Sequence, residues 1–408
     1  MRLLLALLLL LLPLPAWAKG AAETGRYPNL FTQHLGVSEK AVNARLDAYW
    51  ASLFGGEEGK TVYYPTAPTP DGPAAYILDV GNDDVRSEGM SYGMMIAVQM
   101  GKKAQFDALW NWAATHMRYR DGPRRGYFRW TCARTGCLRD AVPASDGEEY
   151  FATALFFAAG RWGNGKGLYD YEAQANAILD AMLHQEDRNG GVVADTTNIF
   201  NHETKQVVFV PNGRFAAFSD PSYHLPAFYE IWARRAKGWN GRQAEDRAFW
   251  KAAAQESRRA FARSSHPVTG LMPDYVGFDG KPVDHQGHGD FRYDAFRTAV
   301  NWAVDWSWWR ADPDAVTRTD RLLAFFETQG MDRYGNQYRL DGTPLSTDRS
   351  SGLIASNGAA ALASSDPRGK RFVAALWALE PPSGQWRYYD GLLEYMAMLH
   401  ASGRFRIY

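Results

Sequence analysis

Six acidic side chains stand in settings that could support chemistry. Glu88 opens the stretch SEGMSYGMMIAV, and Asp146 lies in VPASDGEEYFATA. Asp220 lies in FSDPSYHLPAFYE, Asp290 and Asp294 in HGDFRYDAFRTAVNW, and Asp390 in QWRYYDGLLEY. Each sits among Gly, Ser or aromatic residues near the start of an apolar run. An acid at that position is commonly just a helix N-cap, and Asp146, Asp220 and Asp294 can each be read that way. Several such acids with aromatic neighbours suggest more. If the helix starts converge on one mouth, they make a cleft of carboxylates bordered by stacking rings, which is the layout that cleaves glycosidic bonds.

That reaction passes through an oxocarbenium-like state. One carboxylic acid protonates the departing oxygen, and a second carboxylate activates water or attacks directly. The proton donor must stay protonated near neutral pH, so apolar surroundings or a neighbouring charge must raise its pKa. Glu88, followed by Met90, Tyr92, Met94 and Met95, fits that role by context. The glycines and serines beside it are expected to let substrate approach closely.

Other chemistries fit less well. The sequence carries no Ser nucleophile elbow, no H-E-x-x-H and no P-loop. DHQGHGD, from Asp284 to Asp290, holds two His and two Asp, but its alternating glycines read as a loop more than as a metal site. No cofactor and no metal are expected.

The elements that must position these acids are helical. AQFDALWNWAATHM, EEYFATALFFAAGRWG, EAQANAILDAMLHQ, DAFRTAVNWAVDWSWW and YYDGLLEYMAML all repeat apolar residues at three- and four-residue spacing. Some are apolar nearly all round, as helices buried between neighbours would be. Clusters such as TAPTPDGPA, DRNGG and RLDGTPLSTD separate them. Strands look rare, with VVFV from Val207 to Val210 a candidate. The pattern predicts about a dozen helices with no linker between them, hence an all-α single domain with functional loops.

Bulk properties narrow the partners. The 408 residues carry 45 basic and 45 acidic side chains. Zero formal charge with no basic stripe argues against nucleic acid. Aromatics make up 14% of the chain, enough for both a large core and a sugar-stacking groove. Residues 1–18 read as a secretory signal: basic Arg2, an apolar run from Leu3 to Leu12, and Ala16-Trp17-Ala18 as the cleavage site. The run is short for a membrane span, so the mature chain, 19–408, is expected as a monomer in the periplasm or outside the cell, without stable membrane insertion. In that compartment Cys132 and Cys137 are expected to pair locally rather than stay as free thiols.

SEGMSYGMMIAV, PASDGEEYFATALFFAAGRW, DPSYHLPAFYE and FRYDAFRTAVNW, in this order, resemble glycoside hydrolase family 8. The nearest branch is the xylan-active one, with reducing-end xylose-releasing exo-oligoxylanases and endo-xylanases. The resemblance implies an (α/α)6 barrel, an inverting mechanism and a xylo-oligosaccharide or xylan substrate. It assigns the general acid to Glu88 and the general base to Asp294, followed by Arg297 as a substrate-binding residue. Asp146 then helps hold the distorted sugar, Tyr223 steadies the attacking water, Trp130 stacks a sugar, and Tyr388 and Tyr389 are candidate subsite walls. The family signature has an Asp two places after the A-S-D-G aspartate, where this chain has Glu148. Exo members carry a His on a late loop that closes the groove, and Arg349 of DGTPLSTDRSSGLIASN stands at the similar position. The exo reading is therefore set beside an endo-xylanase, an inactive sugar-binding protein and a lyase; the presence of both Glu88 and Asp294 disfavours the binding protein.

Overall fold

The computed structural model describes residues 19–137 and 141–408. The predicted signal segment, residues 1–18, lies outside the described residues. Twelve helices of ten residues or more follow one another: α1 Glu39–Phe54, α2 Ser87–Met100, α3 Lys103–Trp112, α4 Ser145–Trp162, α5 Tyr171–Asn189, α6 Pro226–Arg235, α7 Gln243–Ser264, α8 Ala295–Trp309, α9 Asp314–Gln329, α10 Ser351–Ala360, α11 Gly369–Ala378 and α12 Tyr389–Ala401.

The even-numbered helices pack each on the next, and α12 returns to α2 to close an inner ring. The odd-numbered helices pack outside them, α3 on α2, α5 on α4, and so on to α1 on α12. This is the (α/α)6 barrel. Composition explains which helix goes where. The inner α2 is apolar all round and buries 12 of its 14 residues. The outer α7, QAEDRAFWKAAAQESRRAFARS, has a single apolar stripe and buries 8 of 22. Among the described residues, no helix is long and apolar enough to cross a membrane.

The strands are short and come in antiparallel pairs: β1 Tyr63–Thr69 with β2 Gly72–Ile77, β3 Val85–Arg86 with β4 Thr131–Cys132, and β5 Phe218–Ser219 with β6 Val276–Gly277. The strand expected over 207–210 does not form. Val208 N–H donates to Ile199 O and Phe209 N–H to Phe218 O, so consecutive residues bond different neighbours and no ladder develops. The segment predicted as one helix from Ala104 to Met117 ends its α-helix at Trp112 and closes with a π-helical turn over Ala113–Met117. Cys132 and Cys137 form the expected disulfide.

Because the inner helices run parallel, their N-termini meet at one end of the barrel. Glu88 and Asp146 lie in the first turns of α2 and α4, Tyr223 precedes α6, Asp294 precedes α8, and Tyr388 precedes α12. Acids 206 residues apart in sequence thus share one mouth.

Candidate active site

The mouth is organised around a cation. The Arg297 guanidinium is buried, with 6% of its side chain exposed, and acidic groups surround it. Its Nη1 donates to Glu88 Oε2 at 3.0 Å and to Asp146 Oδ2 at 3.3 Å. Its Nη2 pairs with Asp294 Oδ2 at 3.0 Å and donates to Ser222 Oγ at 3.1 Å. Nη1 also donates to the Tyr92 hydroxyl. Its terminal nitrogens bond these protein groups, through which Arg297, expected to bind substrate, also positions the acids.

Glu88 and Asp294 hang on different nitrogens of this planar fork, each at 3.0 Å, which caps their oxygen-to-oxygen separation at roughly 8 Å. Each has a second tether. Tyr388 Oη donates to Glu88 Oε1 at 3.1 Å, and Tyr389 Oη donates to Asp294 Oδ1 at 3.0 Å. The two tyrosines expected as subsite walls line the second lobe of the groove and also tether the carboxylates.

The glycine beside Glu88 serves this tether. A Cβ on Gly89 would meet Tyr388 Cε2 at 2.4 Å, so the ring lies where a side chain would be. Gly147 permits a similar approach, since a Cβ there would meet Ser87 Oγ at 2.6 Å where α4 crosses α2.

Electrostatics separates the acids. Burial drives the Glu88 pKa up to about 8; Arg297 opposes this, while the Asp294 and Asp146 carboxylates add to it. The N-terminus of α2 also favours the ionised form, but a helix end contributes only about 0.3–1 kcal/mol, less than one pKa unit of 1.36 kcal/mol. Burial therefore wins, and Glu88 holds its proton at neutral pH. Asp146 is raised to about 6, again by burial first, with Arg297 opposing.

The N-cap reading holds for one of the three aspartates. Asp220 Oδ1 accepts from Ser222 N–H at 2.7 Å and caps the turn Pro221–Tyr223. Asp146 Oδ1 accepts only from its neighbour Gly147 N–H. Asp294 makes no capping bond. The cap of α8 comes from Asp274, whose Oδ1 accepts from Ala295 N–H at 3.0 Å. Asp390 accepts from Ser350 Oγ at 2.8 Å, and Asp290 pairs with Arg292.

A groove crosses the acids. It has two lobes of about 740 and 760 Å³, both lined by Arg86, Glu88 and Asp294. Trp130 and Tyr223 line the first lobe. Tyr223 is buried, with its ring against Phe209 at 5.7 Å and Arg297 5.7 Å from its centre. Trp130 is 37% exposed, under the Arg86 guanidinium at 5.5 Å. Its backbone is pinned by Ser87 N–H on one side and by Val142 O on the other. Glu148 supports the same strap from below: it is fully buried, and Oε1 accepts from Phe128 N–H at 2.9 Å.

The second lobe holds Tyr293 and Trp386, which are 48% and 67% exposed. Sequence reasoning passed over both, although QWRYYDG carries the cue of a Trp two residues before the tyrosine pair. Arg349 does not line either lobe. Its guanidinium donates to the Met331 and Asp332 carbonyls and lies against Tyr334. Among the described residues no group of three or more His, Cys, Asp or Glu side chains is placed to hold a metal ion, and in the DHQGHGD loop His288 Nδ1 lies 2.5 Å from Asp274 Oδ2.

Trp130→Ala is expected to weaken oligosaccharide binding by ~1 kcal/mol or more, about a fivefold rise in KM, with kcat little changed. Steady-state kinetics checks this; an unchanged KM would assign Trp130 to packing alone.

Comparison with known proteins agrees with this geometry. The family model Glycosyl hydrolases family 8 matches residues 25–403. The reducing-end xylose-releasing exo-oligoxylanase Rex8A of Paenibacillus barcinonensis is 45% identical over 395 residues, 96% of this chain and 99% of the relative. A reducing end xylose-releasing exo-oligoxylanase of Bifidobacterium adolescentis is 37% identical over 93% of this chain and 96% of its own length. Among solved structures, a GH8 xylobiose complex from Teredinibacter turnerae superposes with a TM-score of 0.90 at 49% identity, covering 95% of this chain and 99% of that one. A catalytic-mutant xylohexaose complex of a xylanase from the same organism matches equally well. The chain belongs to glycosyl hydrolase family 8 and is a glycoside hydrolase.

Proposed function

We propose that the protein hydrolyses β-1,4-linked xylo-oligosaccharides with inversion, releasing xylose from the reducing end. Glu88 is the general acid: it is the acid held protonated at neutral pH and open to the groove, with 16% of its side chain exposed. Asp294, 26% exposed, is the general base that takes a proton from water. Asp146, beside Glu88 on the same guanidinium nitrogen, stabilises the distorted sugar, and Tyr223 steadies the water.

The observation that carries this reading is the sharing of Arg297 by Glu88 and Asp294 through separate nitrogens. That arrangement admits the ~6.5–9.5 Å spacing of an inverting pair, which leaves room for a water. The reducing-end preference rests on the relatives named for that action, which match along nearly their whole length.

A second reading, endo-xylanase action, is favoured by a specific observation. The lobes on either side of the acids are of similar size, and Arg349 is folded onto loop carbonyls instead of standing in the groove. Timed digestion of xylotriose, xylohexaose and polymeric xylan separates the two. Xylose appearing first, with oligomers shortened one unit at a time, supports exo action. Early mid-length products from polymer support endo action, and no cleavage of any of the three would reject the xylan assignment. We further propose that the protein acts after export, a setting in which the Cys132–Cys137 disulfide persists.

A further inference from the structure

We propose that Asp274, paired with His288, is a positioning residue that fixes the helix start from which the base Asp294 is aimed; this rests on the assignment of Asp294 as the base. The residue at the start of a helix ordinarily turns its carboxylate back onto the first free N–H groups. Asp294 occupies that place on α8, yet it makes no such bond. Its carboxylate points instead to Arg297 Nη2 and Tyr389 Oη, both 3.0 Å away.

A capping side chain there would meet the N–H of Phe296 or Arg297, and these donate to the Tyr293 and Asp294 carbonyls instead; the N–H just before them is held from another part of the chain. Asp274, 20 residues earlier in the chain, places Oδ1 3.0 Å from Ala295 N. Its other oxygen lies 2.5 Å from His288 Nδ1, and the His288 ring stacks on Tyr275 with centroids 4.2 Å apart and an interplanar angle of 7°. Asp274 is 1% exposed, and both its oxygens are engaged. Its own backbone N–H donates to Asp290 O, which ties the strap to the loop that leads into Asp294.

The backbone at this junction needs that support. Tyr293 adopts φ +41°, a left-handed conformation that a tyrosine rarely takes and that costs of order a kcal/mol. Its carbonyl lies 3.1 Å from Tyr389 Oη, the same hydroxyl that meets Asp294. Asp220 plays a parallel part for the other water-side residue, since it caps the turn that carries Tyr223. A buried acid thus fixes the backbone at each place, Asp274 at Ala295 N–H and Asp220 at Ser222 N–H, while the Asp294 carboxylate stays on Arg297 and Tyr389. The charged groups around Asp274 are His288, Asp220, Asp294 and Arg297.

Three variants test this, with xylohexaose hydrolysis and thermal melting measured on each. Asp274→Ala removes the cap and the His288 partner. Asp274→Asn keeps an oxygen that can accept from Ala295 N–H. His288→Ala keeps the cap and loosens its brace. Misplacing a catalytic group by about 1 Å can cost 10²-fold. Asp274→Ala should therefore lower kcat by ~10²-fold with KM changed less than about threefold. Asp274→Asn should recover to within about tenfold of wild type, and His288→Ala should fall between the two. A folded Asp274→Ala with wild-type kcat, a loss confined to KM, or an Asn variant no better than Ala would each overturn the inference. If Asp274→Ala does not melt cooperatively, the comparison of Asp274→Asn with His288→Ala decides: Asn must be the more active. A wild-type protein inactive on xylohexaose would reject the proposed function, whereas an active wild type with an equally active Asp274→Ala would reject only this role.

Discussion

Glu88→Gln will lower kcat on xylohexaose by ~10²–10⁴-fold while the protein still melts cooperatively, because it removes a general acid without changing shape. The amide oxygen can still accept from Arg297 Nη1, while the amide N–H can donate to Tyr388 Oη, reversing the bond that this hydroxyl makes to the carboxyl. What it cannot supply is the proton. The wild-type pH dependence follows from the same group. Burial raises Glu88 to about 8, so the competent, protonated form prevails below that pH and is lost above it. The alkaline limb of kcat/KM should therefore fall near pH 8, well above the ordinary glutamate range. The sign for stability matches. A carboxyl whose folded pKa is raised favours the fold while protonated and opposes it as pH climbs through the folded value. Glu88→Gln should accordingly lose less melting temperature than wild type between about pH 5 and pH 8, the interval from the ordinary glutamate range to the folded value. A variant with full activity would remove Glu88 from the chemistry.

Arg297→Met should be as damaging to turnover and should also cost stability. One guanidinium serves Glu88, Asp146 and Asp294, and no other cation lies within salt-bridge distance of these three carboxylates among the described residues. Removing one partner of a buried ionic cluster costs about 3–5 kcal/mol, because uncompensated charge is left behind. Here the acids can respond by taking up protons. Asp146, already raised to about 6, would be pushed further up by the loss of the cation that opposes its burial. We expect kcat to fall ~10²–10³-fold, of the order seen when a preorganised electrostatic group is deleted. Arg297→Lys should restore part of the stability but little of the turnover, since one ammonium cannot span two carboxylates as the fork does. A Lys variant with wild-type kcat would mean that charge alone, not the spread of two nitrogens, sets the site.

Which parts of this were legible in the sequence depends on whether the cause is local. The inner helices were readable because runs such as MSYGMMIAV are apolar on every side, and only a helix walled in by neighbours tolerates that. Glu88 was readable because an acid heading such a run has few bland explanations. The capping question was not. Asp220 and Asp294 look alike in sequence, each an acid just ahead of a helical turn. What separates them is that the Asp294 carboxylate meets Arg297 and Tyr389, the latter a contact that depends on the chain closing in three dimensions. Tyr92 was similarly hidden, since it reads as one more apolar position while its hydroxyl reaches Arg297. Nothing in YYDG reveals that the Tyr388 ring, besides lining the second lobe, fills the space above Gly89. The VVFV segment failed as a strand because β propensity says nothing about whether one partner strand is available along its length.

The central claim is that Glu88 and Asp294 act on opposite faces of the sugar, one giving a proton while the other draws one from water. The anomeric proton of the new reducing end, followed by NMR from the first seconds of xylohexaose hydrolysis, tests this directly. A direct attack of water on a β-linked sugar gives the α-anomer first, with the β-form growing in later by mutarotation. Initial appearance of the β-anomer would mean double displacement through a covalent intermediate, and would contradict the roles assigned to both acids.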